Sequence, residues 1–311
     1  MAVLITGLGY IGSALAARLL AEGEEVVGLE SFFSTPRAAI RELQRSGLRL
    51  IEGSIRDPKI VESAFAGPRI ERVIHLAGQA SALADAAPLA YTMDTNFVGP
   101  TVLLDVCLLR GVRHVTFASS MRLYRTPLPP VLDETSPVEP PDLVHLSQLA
   151  GEMLLVAHRA QSSAPFRAAA LRMGIVYGVG PVMKTDLRFL AAPQRFCLQA
   201  ARKEPLMVAS AELAFVHLDD VVEALCRCVE LPGPYTVANV ASEVLSIIEV
   251  AQLVQAAAAQ RGLGVTVRYQ KSAAPPGGHV VGSRLAEVGF APQHRLAARI
   301  GDVLDHYLAV G

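Results

Sequence analysis

Strand-like apolar runs alternate with amphipathic runs through the first 120 residues, and few folds accept that pattern. The runs "AVLIT", "EVVGLE", "LRLIEG", "RVIHLAG" and "HVTFASS" read as strands. Helical stretches fall between them at Ile11 to Ala21, near 35–45, after Asp57, and over roughly 87–110. Strands that are apolar on both faces, with helices between them, imply a parallel sheet covered on both sides. The expected fold class is α/β, a doubly wound parallel sheet of Rossmann type. Residues 1–178 are expected to form this unit, rejoined by the strand and helix of 213–241. Residues 179–311 are expected to form a smaller substrate-binding region.

The segment "ITGLGYIGS" sets Gly7, Gly9 and Gly12 between the first strand and the first helix. Gly7 permits the tight turn, Gly9 lets a pyrophosphate approach the backbone, and Gly12 lets helix and strand pack closely. The helix start then offers free N–H groups, from Tyr10 and Ile11 onward, to an anion. Glu30 closes the second strand, 18 positions after Gly12, where a carboxylate can hold adenosine ribose hydroxyls. It would repel a 2′-phosphate, so NAD is expected rather than NADP, although Arg37 stands near.

Composition narrows the remaining classes. The net charge is −1 with no basic patch, which argues against nucleic acid as a partner. No apolar run reaches the roughly 18 residues of a membrane span, and no leader pattern opens the chain, so a cytoplasmic protein is expected. The four cysteines lack ligand spacing and no histidines accompany them, so no metal is expected. Residues 126–141 carry six prolines and form a stiff loop after the 114–120 strand, placed to wall the ligand crevice.

With "TGLGYIGS", "GSIRDP", "VIHLAG", "TNFVG", "FASSMRLY", "LAGE", "LRMGIVYG" and "FVHLDDVVEAL" in order, the chain resembles the extended short-chain dehydrogenase/reductases, a group of NAD-dependent nucleotide-sugar epimerases, dehydratases and ketoreductases. The resemblance covers nearly the whole length. It implies that Gly7, Gly9, Tyr10, Ile11, Gly12 and Glu30 hold NAD, with Ser54 and Ile55 beside the adenine. Ala77, Gly78 and Ser119 would lie along the cofactor, and Asn96 would brace the site. Ser120, four residues before Tyr124, matches the catalytic Ser/Thr. The helices near 87–110 and 142–160 match those of the family's dimer, so a homodimer is expected.

The departures concern chemistry. The family's catalytic tyrosine and lysine fall at Val144 and Gln148, and no "YxxxK" occurs elsewhere. A tyrosine there serves as acid/base because a lysine ammonium lowers its pKa from near 10. Valine cannot move a proton; Gln148 can still hydrogen-bond the ribose. Tyr124, Arg122 and His145 are the candidate substitutes, and Tyr177 in "GIVYG" with Lys184 and Arg188 beyond it are candidate substrate contacts. Ile175 and Leu213 stand where sugar-nucleotide enzymes place an Asn and an Arg on the diphosphate. Two readings stay open: an enzyme acting on a small polar or sugar-like molecule, even by a redox-neutral reaction, and a non-catalytic NAD-binding sensor or partner subunit.

Overall fold

The computed structural model describes residues 2–81, 83, 85–161, 165–269 and 278–310. The first half runs β1 (Ala2–Thr6), α1 (Tyr10–Ala21), β2 (Glu25–Glu30), α2 (Arg37–Arg45), β3 (Arg49–Glu52), α3 (Pro58–Ala64), β4 (Ile70–His75), α4 (Leu89–Met93), α5 (Gly99–Arg110) and β5 (His114–Ser120). Asp94–Val98 joins α4 to α5 as one widened π-helical turn, so the expected single helix over 87–110 is a nearly continuous rod with one bulge. Such bulges gather at functional sites, and this one carries the buried Asn96.

The chain continues through β6 (Val131–Leu132), α6 (Leu143–Gln161), β7 (Arg167–Met173), β8 (Ile175–Tyr177), α7 (Ala192–Ala201), β9 (Leu206–Val208), β10 (Glu212–His217), α8 (Leu218–Arg227), β11 (Tyr235–Val240), β12 (Glu243–Ser246), α9 (Ile247–Ala259), β13 (Val267–Tyr269), β14 (Val280–Val281) and α10 (Leu296–Val310).

The main sheet has the order β11-β7-β5-β4-β1-β2-β3, all pairs parallel. Leu4 and Ile5 show why both faces must be covered: adjacent along β1, they point to opposite sides and both are fully buried. Leu15 and Leu19 of α1 pack with Val221 and Leu225 of α8 on one face. Leu103 and Leu104 of α5 pack with Leu155 of α6 on the other. The doubly wound arrangement read from the alternation is the one observed. Strand order reverses between β1 and β4, which opens the ligand crevice at the carboxyl end of β1.

The 213–241 stretch divides. Helix α8 and β11 return to the main sheet, whereas β10 pairs with β8 and β12 in a separate three-stranded sheet. That sheet and α7, α9 and α10 surround a core of their own, with Phe196, Phe215, Val250, Ile300 and Tyr307. Among the described residues no helix is long and apolar enough to cross a membrane.

Candidate active site

The glycine loop occupies the crevice at the switch point. Gly7 has φ +82°, and a Cβ there would lie 2.6 Å from the Ala77 amide nitrogen. A Cβ on Gly12 would lie 1.9 Å from the Gly7 carbonyl oxygen, so neither position accepts a side chain. Gly9, the residue before α1, faces open space apart from Thr35 Oγ1. No side chain caps α1, which leaves the first amides, those of Tyr10 and Ile11 included, for an anion.

Glu30 is buried, and both its oxygens are engaged. Oε2 accepts the Leu8 N–H and Oε1 accepts the Phe32 N–H, each at 2.7 Å. One lone pair on each oxygen remains for a ribose hydroxyl. Arg37 is held away by its ion pair with Glu52 and stacks on the Phe32 ring at 4.2 Å. The Ser54 hydroxyl accepts from the Arg56 backbone and guanidinium. The Ile55 side chain is buried against Gly99 in the core. Gly78 lies beside Asn96, where a Cβ would sit 3.3 Å from Asn96 Oδ1. Asn96 pairs with the backbone of Gln79 in both directions and donates to Ser147 Oγ on α6.

A segment of the C-terminal region crosses the crevice. Lys184 Nζ donates to Ser34 Oγ at 3.0 Å, on the loop after β2. Arg188 donates to the Asp85 carbonyl at 3.1 Å, and Ser81 Oγ donates to the Arg188 carbonyl at 2.6 Å, both on the loop after β4. The Phe33 ring stacks on Tyr91 at 4.3 Å and meets Phe189 edge-on. Because β2 and β4 flank β1, residues 184–189 pass over the glycine loop. Behind them lies a cavity of about 180 Å³ lined by Tyr10, Met183, Lys184, Phe189, Gln194 and Tyr307. Burial pulls the Lys184 ammonium below its usual pKa, against the pull of Glu30 and Asp186. Of the three candidate substrate contacts, only Lys184 lines this cavity. Arg188 is spent on Asp186 and the Asp85 carbonyl. Tyr177 is fully buried in the C-terminal core, with its ring edge-on to His217. Its position within "GIVYG" gives no sign of that, because burial there is set by helices far along the chain.

At the end of β5 the two serines part company. Ser119 donates to Glu152 of α6, whose carboxylate holds Arg172 of β7 with bonds of 3.0 and 2.8 Å. Its hydroxyl proton is thus committed to Glu152. Arg172 lies over the Tyr124 ring at 5.1 Å, and the Tyr124 hydroxyl donates to Asn239 Oδ1 at 2.6 Å. Burial raises the Tyr124 pKa. Tyr124 is therefore packed in the interior. The residue-type reading could not see Asn239, which arrives from β11. Ser120 is half-buried; its Oγ accepts the Arg122 N–H at 3.1 Å and keeps its own proton to donate. Arg122 is exposed.

Helix α6 begins opposite. Val144 and His145 are buried. Gln148 Oε1 is also buried and has no hydrogen-bond partner. A buried acceptor without a donor is costly, and this one stands where the resemblance puts the ribose-binding lysine. Asp142, one residue before α6, accepts both the His145 backbone N–H at 3.0 Å and a bond from its Nδ1 at 2.7 Å. The sequence reading overlooked Asp142, although an Asp three residues before a His at a helix start is a recognisable cap.

A second cluster also escaped the sequence. His217, Asp219 and His294 bring donor atoms within 4.8 Å of one another. The third member is 75 positions beyond the second, so spacing along the chain gives no sign of the cluster. The fold uses these groups as a clasp: His217 caps α8, and Asp220 gathers the amides of Gln293 and His294 together with His294 Nδ1.

Comparison with known proteins agrees with this geometry. Residues 3–241 match the model of the NAD dependent epimerase/dehydratase family. UDP-glucose 4-epimerase of Bacillus subtilis is 36% identical over 143 residues, covering 44% of this chain and 40% of that protein. The Erwinia amylovora enzyme is 32% identical over 178 residues, covering 55% and 52%. These alignments take in about half the length of the relatives. Among solved structures, Thermus thermophilus UDP-glucose 4-epimerase in complex with NAD is 26% identical with a TM-score of 0.80, covering 99% of each chain. The Bifidobacterium longum enzyme, with NAD+ and UDP, is 20% identical with a TM-score of 0.84.

Proposed function

Because this chain belongs to the NAD dependent epimerase/dehydratase family, we propose that it binds NAD(H) and acts on a small polar or sugar-like substrate with catalytic residues unlike the family's usual pair. The observation that carries this reading is the cradle of Gly7, Gly12 and Glu30 in the crevice, beside which the resemblance puts Val144 and Gln148 at the acid/base positions. The residues present fit the cofactor. The uncapped start of α1 would take the pyrophosphate, Glu30 the adenosine ribose, and Gln148 Oε1 would gain a donor from the second ribose. When bound, NAD supplies a hydride acceptor. Val144 supplies no proton donor beside it, which favours a redox-neutral net reaction.

The substrate end supports a molecule smaller than a nucleotide sugar. Ile175 and Leu213 are packed into the C-terminal core, so neither offers a diphosphate a donor side chain. The chain's own groups here are Ser120 as a hydrogen-bond donor and Arg122 as an exposed cation for an anionic or oxyanionic substrate group. Calorimetric titration with NAD+ and NADP+ tests the cofactor half. Absorbance at the nicotinamide band, followed with sugars and nucleotide sugars, tests the chemistry. No binding of NAD+, or rapid NAD+ reduction by a nucleotide sugar, would remove this reading.

A further inference from the structure

The helix that lacks the family's tyrosine carries another proton-handling unit at the adjacent position. Asp142 and His145 are three residues apart at the start of α6, so they share one face of its first turn. The Asp142 carboxylate takes the Nδ1 bond at 2.7 Å and also caps the helix through the His145 N–H. Two bonds to one carboxylate oxygen fix the ring. A carboxylate only accepts, so Nδ1 carries the hydrogen and Nε2 keeps its lone pair. Among the described residues nothing hydrogen-bonds Nε2.

The surroundings suit a base. Burial, and then the nearby Arg122 charge, pull His145 below its usual pKa, against the pull of Asp142, so the ring is neutral at pH 7. Burial pushes the Asp142 carboxyl up, but the bonds from His145 and the Arg122 charge outweigh it and the net is a lowering. The carboxylate is therefore ionised when an imidazolium forms. Arg122 comes from the turn that Ser120 caps, so it links the end of β5 to the start of α6.

Resting on the family reading above, we infer that the Asp142–His145 pair is the acid/base of this site, with His145 Nε2 as the group that moves the proton. A proton on the carbon beside a substrate carbonyl passes to Nε2, and the C–H electron pair moves into an enediol(ate). The carbonyl oxygen takes the negative charge beside Arg122 or a hydrogen bond from Ser120. The imidazolium, held by Asp142, returns its proton to the substrate. Atoms and electrons balance within the substrate, and no oxidant is consumed. The chemical class implied is a polyhydroxy ketone or aldehyde, and the reaction an isomerisation or epimerisation beside its carbonyl.

Three measurements on the full chain test this. First, nitrogen-15 histidine spectra should show His145 as the Nδ1–H tautomer; the Nε2–H tautomer overturns the assignment. Second, diethyl pyrocarbonate should modify Nε2 of His145 in the native protein, and Asp142→Asn should slow this at least threefold. An unreactive His145, or one indifferent to Asp142→Asn, overturns it, since a merely structural histidine behaves so. Third, wild type should exchange the carbon-bound protons of dihydroxyacetone or D-fructose in deuterium oxide, and His145→Gln should lower the rate on the order of 10²-fold or more. Exchange in neither ketose, or exchange surviving in His145→Gln, also overturns it. NAD+ titration runs beside each variant: undiminished affinity with an inert His145 refutes this inference alone, whereas absent affinity in wild type refutes the family-based reading.

Discussion

The Leu8 amide donates to Glu30 Oε2 at 2.7 Å, which ties the glycine loop to the end of β2. One carboxylate thereby shapes the phosphate loop and presents itself to the ribose. Glu30→Ala should abolish measurable NAD+ binding and cost about 1–3 kcal/mol of stability, because the Leu8 and Phe32 amides lose their acceptor. Glu30→Gln should keep part of the stability. For the parent, NAD(H) should bind at least about tenfold tighter than NADP(H), as charge repulsion at this position implies. Calorimetry and urea unfolding check both; equal affinities for the two cofactors would contradict the assignment.

Tyr124→Phe removes the bond to Asn239 without changing the ring. The expected cost is about 1–3 kcal/mol, because Asn239 Oδ1 is left buried without a donor. NAD+ affinity should not change. A variant of full stability would show that the hydroxyl is not an interior group.

Val144→Tyr with Gln148→Lys should create ketone reduction absent from the parent. The phenol would stand on the helix face toward the crevice, and the ammonium four residues on would lower its pKa. Val144→Tyr alone should gain less. NADH oxidation with a model ketone is the readout, and a double variant no better than the single one would show that these positions do not converge.

Outer surfaces of the two long helices predict assembly. Leu109 is 80% exposed, and Met153, Leu143, Leu146, Phe97 and Val98 are exposed with it. We expect a homodimer through the helices near 87–110 and 142–160. Light scattering should give twice the chain mass at micromolar concentration, and Met153→Asp with Leu146→Asp should give the monomer.

Acid should destabilise the fold through His75, which lies under the glycine loop bonded to Thr6 Oγ1 at 2.7 Å. Burial drives its pKa down to about 3, from 6.5 unfolded. The unfolded chain therefore binds the extra proton between these values. The contribution is complete above pH 6.5 and falls as pH drops toward 3, by about 1.4 kcal/mol per pH unit. Urea midpoints from pH 7 to 4 should decline less steeply in His75→Gln.

The sheet was legible because its signal is local: alternation and glycine spacing are properties of neighbouring residues. The glycine loop was legible for the same reason. The surroundings of Tyr124, Tyr177 and Ser119 were not legible because each depends on a partner from a distant element: Asn239 of β11, the helices around Tyr177, and Glu152 of α6. Asp142 was missed for the opposite reason. It stood three residues from His145, but caps are rarely weighed as members of a site.

The bonds of Lys184 and Arg188 across the crevice, with the Phe33, Tyr91 and Phe189 rings, bear on time rather than affinity. A dinucleotide lodged beneath residues 184–189 leaves only after several contacts open together. We expect its departure to be slower than from Lys184→Ala with Arg188→Ala, as displacement of bound NADH from the two proteins would read.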